Sequence, residues 1–91
     1  MAEIFSITLR SKHESMLKFD YAGQALPGAS SILLVRKRDG GSWNFNCRSD
    51  GGGRFTIKGR GWEVFFKTCK TDDIVTLSIE TGHDFYTISV H

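Results

Sequence analysis

Short apolar runs that alternate residue by residue with polar ones, each ended by glycine or a polar loop, leave this chain little to fold into except sheet. Phe5, Ile7 and Leu9 face one way, with Ser6, Thr8 and Arg10 opposite. Leu17 and Phe19 make a brief second strand after the polar loop "RSKHES". Ile32 to Arg38 is β-branched and basic, and Asp39-Gly40-Gly41 follows it as a hairpin signal, because glycine tolerates the positive φ such turns need. On the return, Trp43, Phe45 and Cys47 alternate with Asn44 and Asn46. Phe55 and Ile57, then Val75, Leu77 and Ile79, then Tyr86, Ile88 and Val90 complete seven short strands, expected to run antiparallel.

Two segments break the alternation. Asp20 is placed to N-cap a turn or two of helix through Leu26, stopped by Pro27. Trp62, Phe65, Phe66 and Cys69 fall at i, i+3, i+4 and i+7, one stripe of a helix, with Glu63 and Lys67 four apart on the other face. A helix this short does not hold in water alone, so its aromatic stripe must dock on the sheet. Those aromatics are therefore core and not a platform for stacking bases. Seven strands with two helical plugs give a mainly β fold, a small, open β-barrel whose closure hides strand edges.

At 91 residues the chain, 1–91, is one domain with one modest core. No apolar run approaches the ~20 residues of a membrane span, and "MAEIFSITLRSK" lacks a signal-peptide layout, so an intracellular protein is expected. Cys47 and Cys69 are too few for a disulfide framework. With His13, His83 and His91 they show no paired ligand spacing, so neither a metal nor another cofactor is expected. Charge is distributed unevenly. Residues 1–60 carry ten Lys/Arg against five acids (+5), and residues 61–91 carry two against five (−3). Such a field steers an anionic partner to one side of a small domain, although chance clustering on a solvated surface gives the same count.

The run "CRSDGGGRFTIK" raises the question of a phosphate loop. A P-loop needs GxxxxGK[ST] passing from strand into helix, so that helix amides face the phosphate. Here the glycines lead into a strand, with no Lys-Ser/Thr pair, and that reading is rejected. A plain connector and a functional loop tip remain. Arg48 and Arg54 flank the glycines with Ser49 between, and a guanidinium forks onto guanine O6/N7 or a phosphate while glycine lets backbone come close. Asp50 either repels phosphate, orients an arginine or accepts from a cytosine amine. The first loop has the same character. Arg10, Ser11, Lys12 and His13, followed by Lys18, are side chains that fix register on a phosphate backbone.

With these pieces in order, the chain resembles the plant B3 DNA-binding domain, in particular its reproductive-meristem branch. "GRGWEVFFKTCKTDDIVTLSIE" is similar to the family's Gly-Trp, aromatic helix, Gly-Asp turn and late strands. "DGGSWNFNC" resembles its hairpin, "FSITLRSKHESMLKF" its opening strand, loop and second strand, and "HDFYTISVH" its closing strand. The resemblance implies a seven-stranded pseudobarrel with two short helices that clasps DNA in the major groove with two arms. Arg10, Ser11, Lys12, His13 and Lys18 would serve the first arm, and Arg48, Ser49 and Arg54 the second, both jutting from one rim. Departures from the pattern accompany it. Asp20-Tyr21 stands where the family often has Pro-Lys, Asp72-Asp73 replaces Gly-Asp, and the second arm is short and glycine-rich. Weak or poorly selective binding is the expectation.

The reading that follows is a double-stranded-DNA-binding module of a plant transcription regulator, working in the nucleus, without enzymatic activity or a small-molecule substrate. The alternative is the same fold used as a protein-interaction module with little DNA affinity. No motif brings His, Ser and Asp together as catalysis would need. Arg36-Lys37-Arg38 reads as an outward-facing basic strand end in preference to a nuclear-import patch.

Overall fold

A computed structural model describes residues 2–91. All seven strands form: β1 (Ala2–Thr8), β2 (Met16–Asp20), β3 (Ser31–Lys37), β4 (Ser42–Gly51), β5 (Arg54–Lys58), β6 (Ile74–Ile79) and β7 (Tyr86–Val90). They make one sheet in the order β1-β6-β7-β3-β4-β5-β2. The antiparallel expectation fails at one place. β3 and β7 run parallel, from Val35 opposite Tyr86 to Lys37 opposite Ile88, a pairing that alternation within single strands cannot disclose. The sheet curls until its edges β1 and β2 meet through side chains, Phe5 and Phe19 with ring centroids 4.8 Å apart, and so forms a nearly closed barrel.

The alternating apolar set fills the interior. Leu17, Val35, Phe45, Ile57, Val75 and Leu77 are fully buried. One end of the barrel is plugged by helix α1 (Arg60–Phe66), whose Trp62 and Phe65 are wholly buried. Phe45 meets the Trp62 ring edge-on at 5.3 Å, and Trp43 meets Phe65 at 5.0 Å. Gly61 permits this docking. A Cβ there would sit 1.9 Å from the Asn44 carbonyl oxygen, so only glycine lets the helix lie against β4.

The second expected helix is absent. Asp20 ends β2, and residues 21–30 form an irregular loop that buries Leu26 in the core. Two tyrosines explain this. Ala25 N–H donates to Tyr21 Oη at 3.1 Å in place of a helical carbonyl, and Tyr86 Oη donates to Ala25 O at 2.7 Å. Side chains thus satisfy backbone groups that a helix would have paired. A 3-10 turn at Ser11–His13 is the other helical element.

Candidate nucleic-acid interface

β2, β5 and β4 lie side by side, and their outward residues form rows. Lys18 lies opposite Thr56, and Thr56 opposite Arg48. One step along, Met16 lies opposite Lys58, and Lys58 opposite Asn46. Beyond the other flank, Asp20 lies opposite Arg54 and Arg54 opposite Gly51. Four cations, Lys18, Arg48, Arg54 and Lys58, therefore share one outer face. Among the described residues, Lys18, Arg54 and Lys58 have no carboxylate partner.

The glycine run is a tight turn and not slack chain. Gly52 and Gly53 join β4 to β5 with φ of +62° and +79°, and Gly51 has φ +85°. Positive φ at both central positions is what a type I′ two-residue hairpin turn demands, and an L side chain would be strained at all three. Tyr21 N–H donates to Gly53 O at 2.8 Å and ties the tip to the end of β2.

Just before the tip, Asp50 occupies a bulge between Ser49 and Gly51. Its carboxylate accepts from Arg48 Nε at 2.9 Å and from Thr56 Oγ1 at 2.6 Å. The Thr56 hydrogen bond, followed by those from Arg48 and the charges of Arg48 and Lys18, holds the Asp50 carboxyl below its ordinary value against the desolvation that pushes it up. Of the three roles open to Asp50 in the sequence, the geometry is that of orienting an arginine. Ser49 alternates away from Arg48, opposite Phe55, and its hydroxyl accepts from Gly51 N–H at 3.4 Å to close the bulge.

The first basic loop lies elsewhere. It enters β2 at Met16, beside Lys58, whereas the glycine turn lies beside Asp20. The two loops do not share a rim: they stand at opposite ends of the three-stranded ladder, because antiparallel pairing of β2 with β5 sends the start of one to the end of the other. Four residue steps at about 3.3 Å put those ends roughly 13 Å apart. Within the loop, Arg10 forms an ion pair with Asp72. His13 Nδ1 accepts from Arg10 N–H at 3.0 Å, and His13 O accepts from Trp62 Nε1 at 2.8 Å, which pins the loop to α1. Burial, then the charges of Lys12 and Arg10, push the His13 pKa down, in keeping with a neutral ring acting as acceptor. Ser11 and Lys12 are exposed.

No family model and no curated protein matches this chain. A solved structure does. The Arabidopsis FUS3–DNA complex, a plant B3-domain structure, superposes with a TM-score of 0.66 at 13% sequence identity, covering 98% of this chain and 96% of that one. The two chains share one fold, the B3 pseudobarrel.

Set within that fold, the departures in sequence acquire physical roles. Tyr21, where a lysine is common, closes the irregular loop through its hydroxyl and packs edge-on against Phe55, ring centroids 6.3 Å apart. Asp72 holds φ +79°, a left-handed turn that glycine usually supplies, and its carboxylate takes up Arg10. Arg36, at the basic end of β3, lies 4.8 Å from the Phe85 ring centroid and pins the β6–β7 loop. Sequence reasoning missed Lys58 and Thr56. Both were within reach, since Phe55 and Ile57 point inward and period two turns Arg54, Thr56 and Lys58 outward together.

Proposed function

We propose that this protein binds double-stranded DNA across the outer face of β2, β5 and β4, as the DNA-binding module of a transcription regulator acting in the nucleus. One observation carries the reading: Lys18, Arg48, Arg54 and Lys58 converge on a single sheet face, three of them without a salt bridge among the described residues. Phosphates supply the missing counter-charge. The face ends in two loops, the glycine turn beside Asp20 and the Arg10–His13 loop before Met16, which flank what lies between them. The B3 pseudobarrel of the FUS3 complex, which holds DNA, supports the same reading at the level of the fold. Arg10 and Ser49 contribute less than their residue types suggest, because Asp72 and the bulge already engage them.

Fluorescence anisotropy with a labelled duplex over a salt series tests this. Neutralising roughly three to five phosphates gives a log–log slope near −3 to −4. Binding that ignores salt, or no binding at low salt, would contradict it. A specific observation favours the second reading, a protein-interaction surface. Ile32 (68% exposed) and Met16 (39%) end the row that carries Asn46 and Lys58, and apolar ends of this kind suit a protein partner. A partner bound with little salt dependence is the result that would select it.

A further inference from the structure

Among the described residues, Arg48 is the one of the four cations on the β2–β5–β4 face that a carboxylate holds in a salt bridge. Its Nε donates to Asp50 Oδ1 at 2.9 Å, and Thr56 Oγ1 donates to Asp50 Oδ2 at 2.6 Å, so both carboxylate oxygens are engaged. Thr56 is fully buried on β5, between Lys18 and Arg48 in the cross-strand register, and is itself fixed. The order is therefore a rigid threonine, then a carboxylate, then a guanidinium, with the Arg48 side chain half exposed.

This arrangement has a chemical consequence. A guanidinium offers two edges to a two-acceptor partner: the side edge, Nε with one Nη, and the end edge, the two Nη groups. Asp50 occupies the side edge. The end edge remains, and its two parallel donors match guanine O6 and N7. An arginine whose charge is already partly balanced also gains less from a bare phosphate than a free one does. Lys18, Arg54 and Lys58, which form no salt bridge among the described residues, are left to the phosphates.

We propose that Asp50 is a positioning residue that makes Arg48 a guanine reader, trading non-specific affinity for one selective contact; the assignment rests on the DNA-binding reading above. A single such contact confers a modest preference. The B3 pseudobarrel does not supply this latch by its topology alone. It comes from Asp50 in the bulge and Thr56 opposite Arg48 in this chain.

Three duplexes of equal length test it: one containing G·C pairs, one of A·T pairs only, and one with 7-deazaguanine for guanine, which removes N7. The unchanged protein is expected to prefer the first over the second about tenfold, within the range of a bidentate contact, and to lose most of that preference with 7-deazaguanine. Asp50→Asn keeps the shape and removes the charge. It is expected to bind the A·T duplex severalfold more tightly, to reduce the guanine preference below about threefold, and to steepen the salt slope by about one. Thr56→Val removes the donor that fixes Asp50 and keeps its charge. It is expected to lower the preference while leaving the slope unchanged. A guanine preference that survives in both variants overturns the assignment and leaves DNA binding standing. Failure of the unchanged protein to bind any duplex at low salt overturns both.

Discussion

Gly61→Ala is expected to lower the stability of this domain by about 3 kcal/mol, the upper part of the range for forced overpacking. Helix propensity alone argues the other way, since alanine is favoured over glycine by ~1 kcal/mol inside a helix. Sterics decide the sign. The new methyl would lie 1.9 Å from the Asn44 carbonyl oxygen and 2.8 Å from its carbon, both backbone atoms of β4 that cannot swing aside. The helix must lift, and Trp62 and Phe65 lift with it, opening the plugged end of the barrel. The hydrogen bond from Trp62 Nε1 to His13 O weakens too, which loosens the first basic loop. For a domain of this size, 3 kcal/mol corresponds to a fall of roughly 12–24 °C in Tm. Gly28→Ala is the control, because nothing lies within 4 Å of its added Cβ and the effect on Tm should be small. Thermal unfolding of the two variants beside the unchanged protein checks both. Equal Tm values would show that α1 does not dock on Asn44 as described.

The double reversal Lys18→Glu with Arg54→Glu is expected to weaken duplex binding about 100-fold at moderate salt, equivalent to ~2.7 kcal/mol. Among the described residues neither side chain forms a salt bridge, but Lys18 lies near enough to Asp50 to help hold its carboxyl down and Arg54 lies opposite Asp20. The reversals therefore set like charges side by side and should cost up to about 2 kcal/mol of stability, leaving the domain folded for the binding measurement. What changes is the potential on the outer face of β2, β5 and β4, where two attractive contacts become repulsive ones. The salt slope should flatten by about two, one for each lost phosphate contact. Arg38→Glu supplies the comparison. It changes net charge in the same sense, but lies beside Glu80, His83 and Phe85 rather than on the proposed face. A comparable loss from Arg38→Glu would mean that overall charge, and not this face, governs binding.

The strands were legible in the sequence because apolar residues of a half-buried sheet alternate with polar ones, as Phe45 does between Asn44 and Asn46; Thr56 and Ser78, polar yet buried beside Ile57 and Leu77, keep the polar pattern without being solvated. The helix at Trp62 was legible for the matching reason, a stripe at helical spacing. What stayed hidden was set by partners distant in the chain. The parallel pairing of β3 with β7 depends on a crossover that no local pattern encodes. The loop after Asp20 looked helical because its stabilising donor, Tyr86, lies 61 residues away. Among the site residues, Arg48, Arg54 and Lys18 were identified by type, and their convergence follows only from the register of β2, β5 and β4. The same register separates the two basic loops to opposite ends of the ladder. The sequence marks Arg10 as a candidate DNA contact, and its engagement by Asp72 depends on the left-handed turn that brings residues 10 and 72 together.

The glycine run now has a physical explanation independent of any ligand. Three consecutive positive φ values require three glycines, whether or not the tip touches DNA. Its functional weight rests with the neighbours that the turn holds in place: Arg48 through Asp50, and Arg54 opposite Asp20.

Amide chemical shifts, followed while duplex DNA is added at low and then at raised salt, address the central statement most directly. Shifts should gather at Lys18, Arg48, Arg54 and Lys58 and at the two flanking loops, and shrink as salt rises, while Ser6, Thr76 and Ser89, which lie opposite one another across β1, β6 and β7, stay in place. Movement confined to that hydroxyl-bearing row, or an unchanged spectrum at low salt, would contradict a duplex-binding surface built on β2, β5 and β4.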